Sequence, residues 1–130
     1  MIPDIRVESS VAIQKLAKEL KLPYDQSMQD WAYEVADPKS VTEYINHYVL
    51  LNDDDEKFVL MQMVIQAIND QESIAQLKSY WNIIKELLIK DFKTHEYTIY
   101  YWSRFTKGYV KDEWKISPYI DTLWTETKKI

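Results

Sequence analysis

The sequence predicts an all-α protein of about six to seven short helices in antiparallel pairs. Its 130 residues include one glycine and four prolines, so it has little of the glycine on which β-hairpin turns depend. Successive helix pairs of about 35 residues are typical of a HEAT-like α-solenoid, and a compact helical bundle is the competing arrangement. Because this length fits one hydrophobic core, we expect residues 1–130 to form a single domain.

Three helices are predicted in the N-terminal part of the chain. Their ranges are 9–21, 26–36 and 38–51. The first has a weak apolar stripe, and the second is amphipathic around Trp31 and Val35. The third begins at Asp37 and Pro38, where an aspartate can cap the helix and a proline suits its first position.

Two longer helices are predicted next, over 53–71 and 73–90. Asp53 with Glu56 has the spacing of a capping box, and so has Ser73 with Gln76. The helix over 53–71 is apolar around nearly its whole circumference, so we expect it to be the buried central helix. Its apolar residues are Phe58, Val59, Leu60, Met61, Met63, Val64, Ile65, Ala67 and Ile68.

The stretch KTHEYTIYYWSRFTKG (93–108) has conflicting signals. Its β-branched and aromatic residues favour a strand over 97–102. However, Thr94 can cap a helix, aromatic residues recur every four positions, and Gly108 follows as a left-handed helix stop. We therefore predict a helix over 94–107. A last helix is predicted over 117–128, with Ser117 as the cap before Pro118.

The charge of the chain is unevenly distributed. The formal net charge is −5, but residues 1–72 contain 14 acidic and 6 basic side chains, whereas residues 73–130 contain 7 acidic and 10 basic ones. Twelve of the 18 aromatic residues also lie in 73–130. The sequence thus has an acidic first part and an aromatic, slightly basic second part.

Composition excludes several classes of protein. Without cysteine, the chain has no disulfide scaffold, thiolate zinc site or thiol nucleophile. No apolar segment approaches the ~20 residues of a membrane span, and the N-terminus lacks a signal-peptide pattern. We expect a cytoplasmic protein that does not enter a membrane.

The densest acidic cluster is LNDDDEK (51–57). Asp53, Asp54 and Asp55 lack the alternating ligands and central glycine of a calcium loop. Acidic residues at a helix start also satisfy free amide groups and the positive end of the helix dipole. An acidic patch that faces a basic partner is compatible with that role.

Trp31 and Glu34 lie in MQDWAYEVAD (28–37), and two interpretations are open for them. Trp31 can fill the core of an amphipathic helix. Alternatively, the two residues belong to an exposed aromatic and acidic docking surface, since tryptophan is common at interface hot spots.

The C-terminal part alternates aromatic rings with cations, and Tyr101, Trp102, Arg104 and Trp114 are its candidate binding residues. Such a pattern is typical of surfaces that bind single-stranded nucleic acid. Asp112 and Glu113 interrupt it, and an acidic protein is not typical of that class. Core packing and a protein interface are the other interpretations.

No catalytic, cofactor-binding or metal-binding motif is recognisable. His47 follows Glu43 by four residues, but a metal site needs more ligands. One glycine cannot form a phosphate-binding loop. We therefore predict no catalytic residues, no cofactor and no metal.

The succession MQDWAYEVADPKSVTEYINHY, LNDDDEKFVLMQMVIQAIND and YTIYYWS, within residues 28–103, resembles small uncharacterised bacterial proteins with an acidic helical scaffold. Some of those proteins resemble immunity proteins, which neutralise toxins. The resemblance implies a non-enzymatic, cytoplasmic role in partner binding.

Our functional hypothesis is a non-catalytic protein-binding module that inhibits a toxin or effector and prefers a basic partner. The alternatives are a helical-repeat scaffold or homo-oligomer and, less favoured, a binder of single-stranded nucleic acid.

Overall fold

The computed structural model describes residues 2–103 and 114–128, and these are helical wherever they are regular. The α-helices are α1 (Ser10–Glu19), α2 (Trp31–Glu34), α3 (Val41–Tyr48), α4 (Asp54–Asn69), α5 (Ile74–Lys90), α6 (Phe92–Ser103) and α7 (Ser117–Lys128), and a 3₁₀ turn at Pro38–Ser40 leads into α3. No strand occurs in the described part of the chain. The all-α prediction is confirmed.

The chain divides into two compact units. The first, which we call the acidic unit, is Val7–Ala67 and holds eleven acidic and five basic side chains, a net charge of −6. The second, the aromatic unit, combines Met1–Arg6 with Ile68–Ile130 and holds twelve of the 18 aromatic residues. The single-domain prediction and the choice between solenoid and bundle stay predictions.

Helix α4 is the buried helix that the sequence predicts. All nine of the apolar residues predicted for it are fully shielded from solvent. Burying one side chain of that size is worth about 1.5–3 kcal/mol. The boundary between the two units falls in the last turn of α4.

The helix predicted over 26–36 is wrong in extent, because only Trp31–Glu34 is helical. The Asp25 carboxylate accepts a hydrogen bond from the Ser27 amide at 2.8 Å, and the Asp25 carbonyl accepts one from the Met28 amide at 2.9 Å. This aspartate turn offers the backbone an alternative to helix.

The stretch Tyr97–Trp102 is helical, as predicted, within α6. The helix begins at Phe92, so Thr94 lies inside it and does not cap it. The Asp91 carbonyl accepts hydrogen bonds from the amides of Thr94 and His95 instead. The predicted helix end over 104–107 and the stop at Gly108 lie outside the described residues.

The predicted capping of α7 by Ser117 is also wrong. Ser117 is the first helical residue, and its hydroxyl is buried with no hydrogen-bond partner among the described residues. The Asn69 side chain holds the start of α7 by accepting a hydrogen bond from the Ile116 amide at 3.1 Å. The predicted caps Asp37 and Ser73 do accept hydrogen bonds from backbone amides, at 3.0 and 3.3 Å.

Candidate functional site

The candidate site is the junction between α3 and α4, residues 49–53 with the side chains around them, all within the acidic unit. Helix α3 ends in hydrogen-bonded turns, in which the amides of Leu50 and Leu51 donate to the carbonyls of His47 and Tyr48 at 3.0 Å. Leu51 is buried and anchors the turn. The junction is therefore short and held by the backbone on the α3 side.

Asp53 fixes the other end of the junction as the N-cap of α4. Its carboxylate accepts a hydrogen bond from the Glu56 amide at 3.0 Å, as the predicted capping box requires. The Glu56 side chain does not complete the box, because it bonds elsewhere. Asp53, Asp54 and Asp55 are all exposed, so the N-cap and the first turn of α4 place three aspartates at the surface.

A pocket of about 380 Å³ opens beside this junction. Helix α1 contributes two charged residues to its wall, α3 contributes His47, and the junction and α4 contribute the rest. Its lining residues are Lys15, Glu19, His47, Leu50, Leu51, Asn52, Asp53 and Glu56. Three carboxylates thus share the pocket with one lysine.

That lysine bridges two of the carboxylates. The Lys15 ammonium donates to both oxygens of Glu56 at 3.1 Å and lies 3.9 Å from the nearer Glu19 oxygen. Glu56 is only 8% exposed, so it requires a partner, since a buried unpaired carboxylate is costly. The hydrogen bond and the charge of Glu56 raise the pKa of Lys15 above its ordinary value.

His47 closes the pocket on the α3 side. Its Nε2 atom lies 2.8 Å from a Glu19 carboxylate oxygen. The histidine thus pairs with a residue of α1, and the Glu43–His47 spacing noted in the sequence is not the contact that forms. No group of three or more potential ligand side chains that could hold a metal ion occurs among residues 2–103 and 114–128.

Two apolar side chains at the same junction are exposed. Val49 is 61% and Leu50 is 74% exposed, although large apolar side chains usually lose solvent contact on folding. Leu50 also lines the pocket. The junction therefore combines two adjacent exposed apolar side chains with an excess of carboxylates.

The sequence singles out the three aspartates but misses Lys15, Glu19, Leu50 and the pocket. One signal was available, because Leu50 comes nine positions after Val41 and therefore falls about 180° away from it, on the side of α3 opposite the apolar stripe. The contact between α1 and α4 has no such signal, since Lys15 and Glu56 are 41 positions apart.

Trp31 and Glu34 are not brought together with this site by any described contact. Trp31 is fully buried, and its indole N–H donates to the Pro23 carbonyl at 2.7 Å. The core interpretation is therefore correct for Trp31, and its use as an exposed docking residue is wrong. Glu34 is exposed and accepts a hydrogen bond from the Asp30 amide at 3.0 Å.

The aromatic candidates cluster in the aromatic unit. The ring centroids of Trp102 and Trp114 are 4.0 Å apart, and Tyr101 lies 5.7 Å from Trp114. Trp102 is 1% exposed, which removes it from the surface, whereas Tyr101 and Trp114 are half-buried. Arg104 lies outside the described residues.

Two smaller pockets lie in the aromatic unit. One, of about 240 Å³, is bordered by Trp81, Tyr119 and Leu123, and the other, of about 300 Å³, separates the N-terminal segment from α6. The second has charges of both signs, from Asp4, Arg6, Lys93 and Glu96. Neither has the excess of carboxylates that the pocket at the α3–α4 junction has.

Comparisons with protein-family models, curated protein sequences and solved structures find no match to this chain. Across residues 2–103 and 114–128, no helix has both the length and the apolar character that a bilayer span needs.

Proposed function

We propose that this protein is a non-catalytic binding module that inhibits a toxin or effector, as immunity proteins do. The observation that carries the proposal is the exposure of Asp53, Asp54 and Asp55 at the start of α4, within a unit whose net charge is −6. Such a field attracts a positively charged protein and speeds their encounter. The resemblance to small acidic helical bacterial proteins, some of which resemble immunity proteins, suggests the class of partner.

The proposal places the protein in the cytoplasm. The absence of cysteine supports this, because a reducing compartment gives a chain no use for disulfides. An inhibitor that waits in the cytoplasm also needs no cofactor and no catalytic group, since binding alone blocks the toxin.

The homo-oligomer alternative would need a continuous apolar face. Helix α5 offers the exposed isoleucines Ile74, Ile83 and Ile89. However, Ile83 comes nine positions after Ile74, which places the two about 180° apart around the helix. They do not form one patch, so they give this alternative little support.

Capture from the native host's extract tests the proposal. Tagged wild-type protein should retain one stoichiometric, basic protein partner. The triple variant D53N/D54N/D55N should retain much less of it, because three charges are removed while asparagine still caps the helix at position 53.

A matched control removes three exposed carboxylates from the aromatic unit instead. The variant E72Q/E86Q/E126Q has the same net charge as D53N/D54N/D55N, and all three replaced residues are exposed. It should retain the partner as the wild type does. Failure of the wild type to retain any protein across repeated conditions would contradict the proposed function.

A further inference from the structure

We infer that the α3–α4 junction is the docking surface of this protein, and that it receives a basic protein segment that presents an apolar side chain beside a lysine or arginine. This inference rests on the proposed function and deepens it by naming the surface and the chemistry of the contact. Its apolar part is Val49 and Leu50, and its polar part is the pocket next to Leu50.

The apolar pair is presented rigidly. Its backbone is held by hydrogen bonds to the last turn of α3, with the Val49 amide donating to the carbonyl of Ile45. The next residue, Leu51, is buried and anchors the turn in the core. A partner that docks here has little loop entropy to remove, which favours affinity.

The pocket suits a long cationic side chain. Leu50 and Leu51 give the wall an apolar portion along which a methylene stem can lie. Glu19, Asp53 and Glu56 on the wall add negative charge around the charged head. Lys15 demonstrates that chemistry within the protein itself, since its ammonium lies 3.1 Å from both Glu56 oxygens while its side chain stays 54% exposed.

Charge complementarity selects the occupant. Glu19, Asp53 and Glu56 outnumber Lys15 in the pocket, and Asp54 and Asp55 add negative charge in the first turn of α4. A second copy of the acidic unit would bring −6 against −6, and nucleic acid would bring its phosphates, so both are repelled. A basic protein segment is the occupant that can contact both the exposed apolar pair and the acidic pocket favourably.

Nuclear magnetic resonance titration of the full ¹⁵N-labelled chain tests the inference. The probe is the acetylated tetrapeptide amide Leu-Arg-Arg-Leu. Its matched control replaces both arginines with citrulline, which has nearly the same shape without the charge. The arginine peptide should shift the backbone amides of residues 47–56, and the citrulline peptide should bind at least about fivefold more weakly.

Two substitutions separate the apolar part from the charged part. L50S removes an exposed apolar side chain, and D53N removes a carboxylate while preserving the helix cap. Each should weaken binding of the arginine peptide by about three- to tenfold. The control I83S/E86Q changes exposed residues of α5 and should leave the affinity unchanged. Thermal unfolding of every variant establishes that the fold is intact.

Any of these results would overturn the inference: shifts centred elsewhere, equal binding of the two peptides, unaltered affinity of both L50S and D53N, or a self-associating wild type that becomes monomeric in L50S. Competition by a single-stranded oligonucleotide at the same amides would overturn it too. If the host partner is captured equally by the wild type and by L50S/D53N, the docking surface is wrong while the proposed function stands. If the wild type captures nothing, the proposed function fails, and the peptide titration alone decides the docking surface.

Discussion

At the scale of single residues, Glu8 has an environment unlike that of an ordinary surface carboxyl group. It lies just before α1, and its Oε2 atom is buried without a hydrogen-bond partner in the described part of the chain. Burial, together with the nearby charge of Asp30, raises the pKa of Glu8 from 4.5 to about 7. Nothing in the sequence around Glu8 indicates this, because the shift arises from residues that only the fold brings near.

The raised pKa of Glu8 predicts a specific dependence of stability on pH. Since the folded chain holds the pKa above its unfolded value, ionisation of Glu8 favours unfolding. The stability that the protonated Glu8 carboxyl contributes is fully present below about pH 4.5 and is lost as the pH rises to about 7. The variant E8Q should therefore be more stable than the wild type at pH 8, by about 1–2 kcal/mol after allowance for solvent screening of a partly exposed group.

Urea unfolding at a series of pH values checks this prediction. The difference in free energy of unfolding between E8Q and the wild type should grow between pH 4.5 and 7 and stay constant above. E86Q, at an exposed position of α5, is the control and should follow the wild-type profile. A constant difference for E8Q across the whole range would show that the carboxyl ionises equally well in both states.

At the scale of secondary-structure elements, the end of α1 shows a conformational cost. Lys21 adopts a φ of 57°, in the left-handed region. The Leu22 amide donates to the Ala17 carbonyl at 2.8 Å, and the Lys21 amide donates to the Lys18 carbonyl at 3.3 Å. These are the two hydrogen bonds of a Schellman motif, at whose left-handed position glycine is preferred.

Replacing Lys21 with glycine should therefore stabilise the protein by about 0.5–1 kcal/mol. Glycine removes the steric cost of the left-handed conformation, although its greater freedom in the unfolded chain offsets part of the gain. Thermal or urea unfolding measures the difference. K18G, at an exposed helical position three residues earlier, should destabilise by about 0.5–1 kcal/mol; stabilisation by both variants would contradict the argument.

The same element scale separates what the sequence could predict from what it could not. The apolar periodicity of α4 identified its buried residues, and the capping residues Asp53 and Ser73 lie where predicted, because these signals act over three or four positions. The predicted helix over 26–30 fails because a local turn competes with it, and the predicted cap at Ser117 fails because a residue far away in sequence takes over that role. Asp25 forms a turn, and Asn69 holds a helix start 47 positions away.

At the scale of the whole molecule, charge is segregated between the two units. The acidic unit has a net charge of −6, and the remaining chain, with ten acidic and eleven basic side chains, has +1. The sequence showed this asymmetry and the position of the three exposed aspartates. It did not show that Leu50 would be exposed beside them or that Trp31 would be buried, since both outcomes depend on which helix faces are covered.

This segregation predicts opposite responses to two probes of opposite charge. A fluorescently labelled oligolysine should bind the full chain at low salt and perturb amides of the acidic unit. Its affinity should fall steeply as the ionic strength rises to about 0.3 M, where screening shortens the range of exposed charges to a few ångströms. A labelled single-stranded oligothymidylate should give no anisotropy change under the low-salt conditions in which oligolysine binds, because the net charge of −5 on the protein repels its phosphates.

D53N/D54N/D55N should weaken oligolysine binding more than E72Q/E86Q/E126Q does, although both variants have the same net charge. Equal weakening would mean that only total charge matters and that the acidic unit has no focused field, whereas tight, salt-sensitive binding of the oligonucleotide would favour the aromatic and basic residues of the C-terminal part as the working surface.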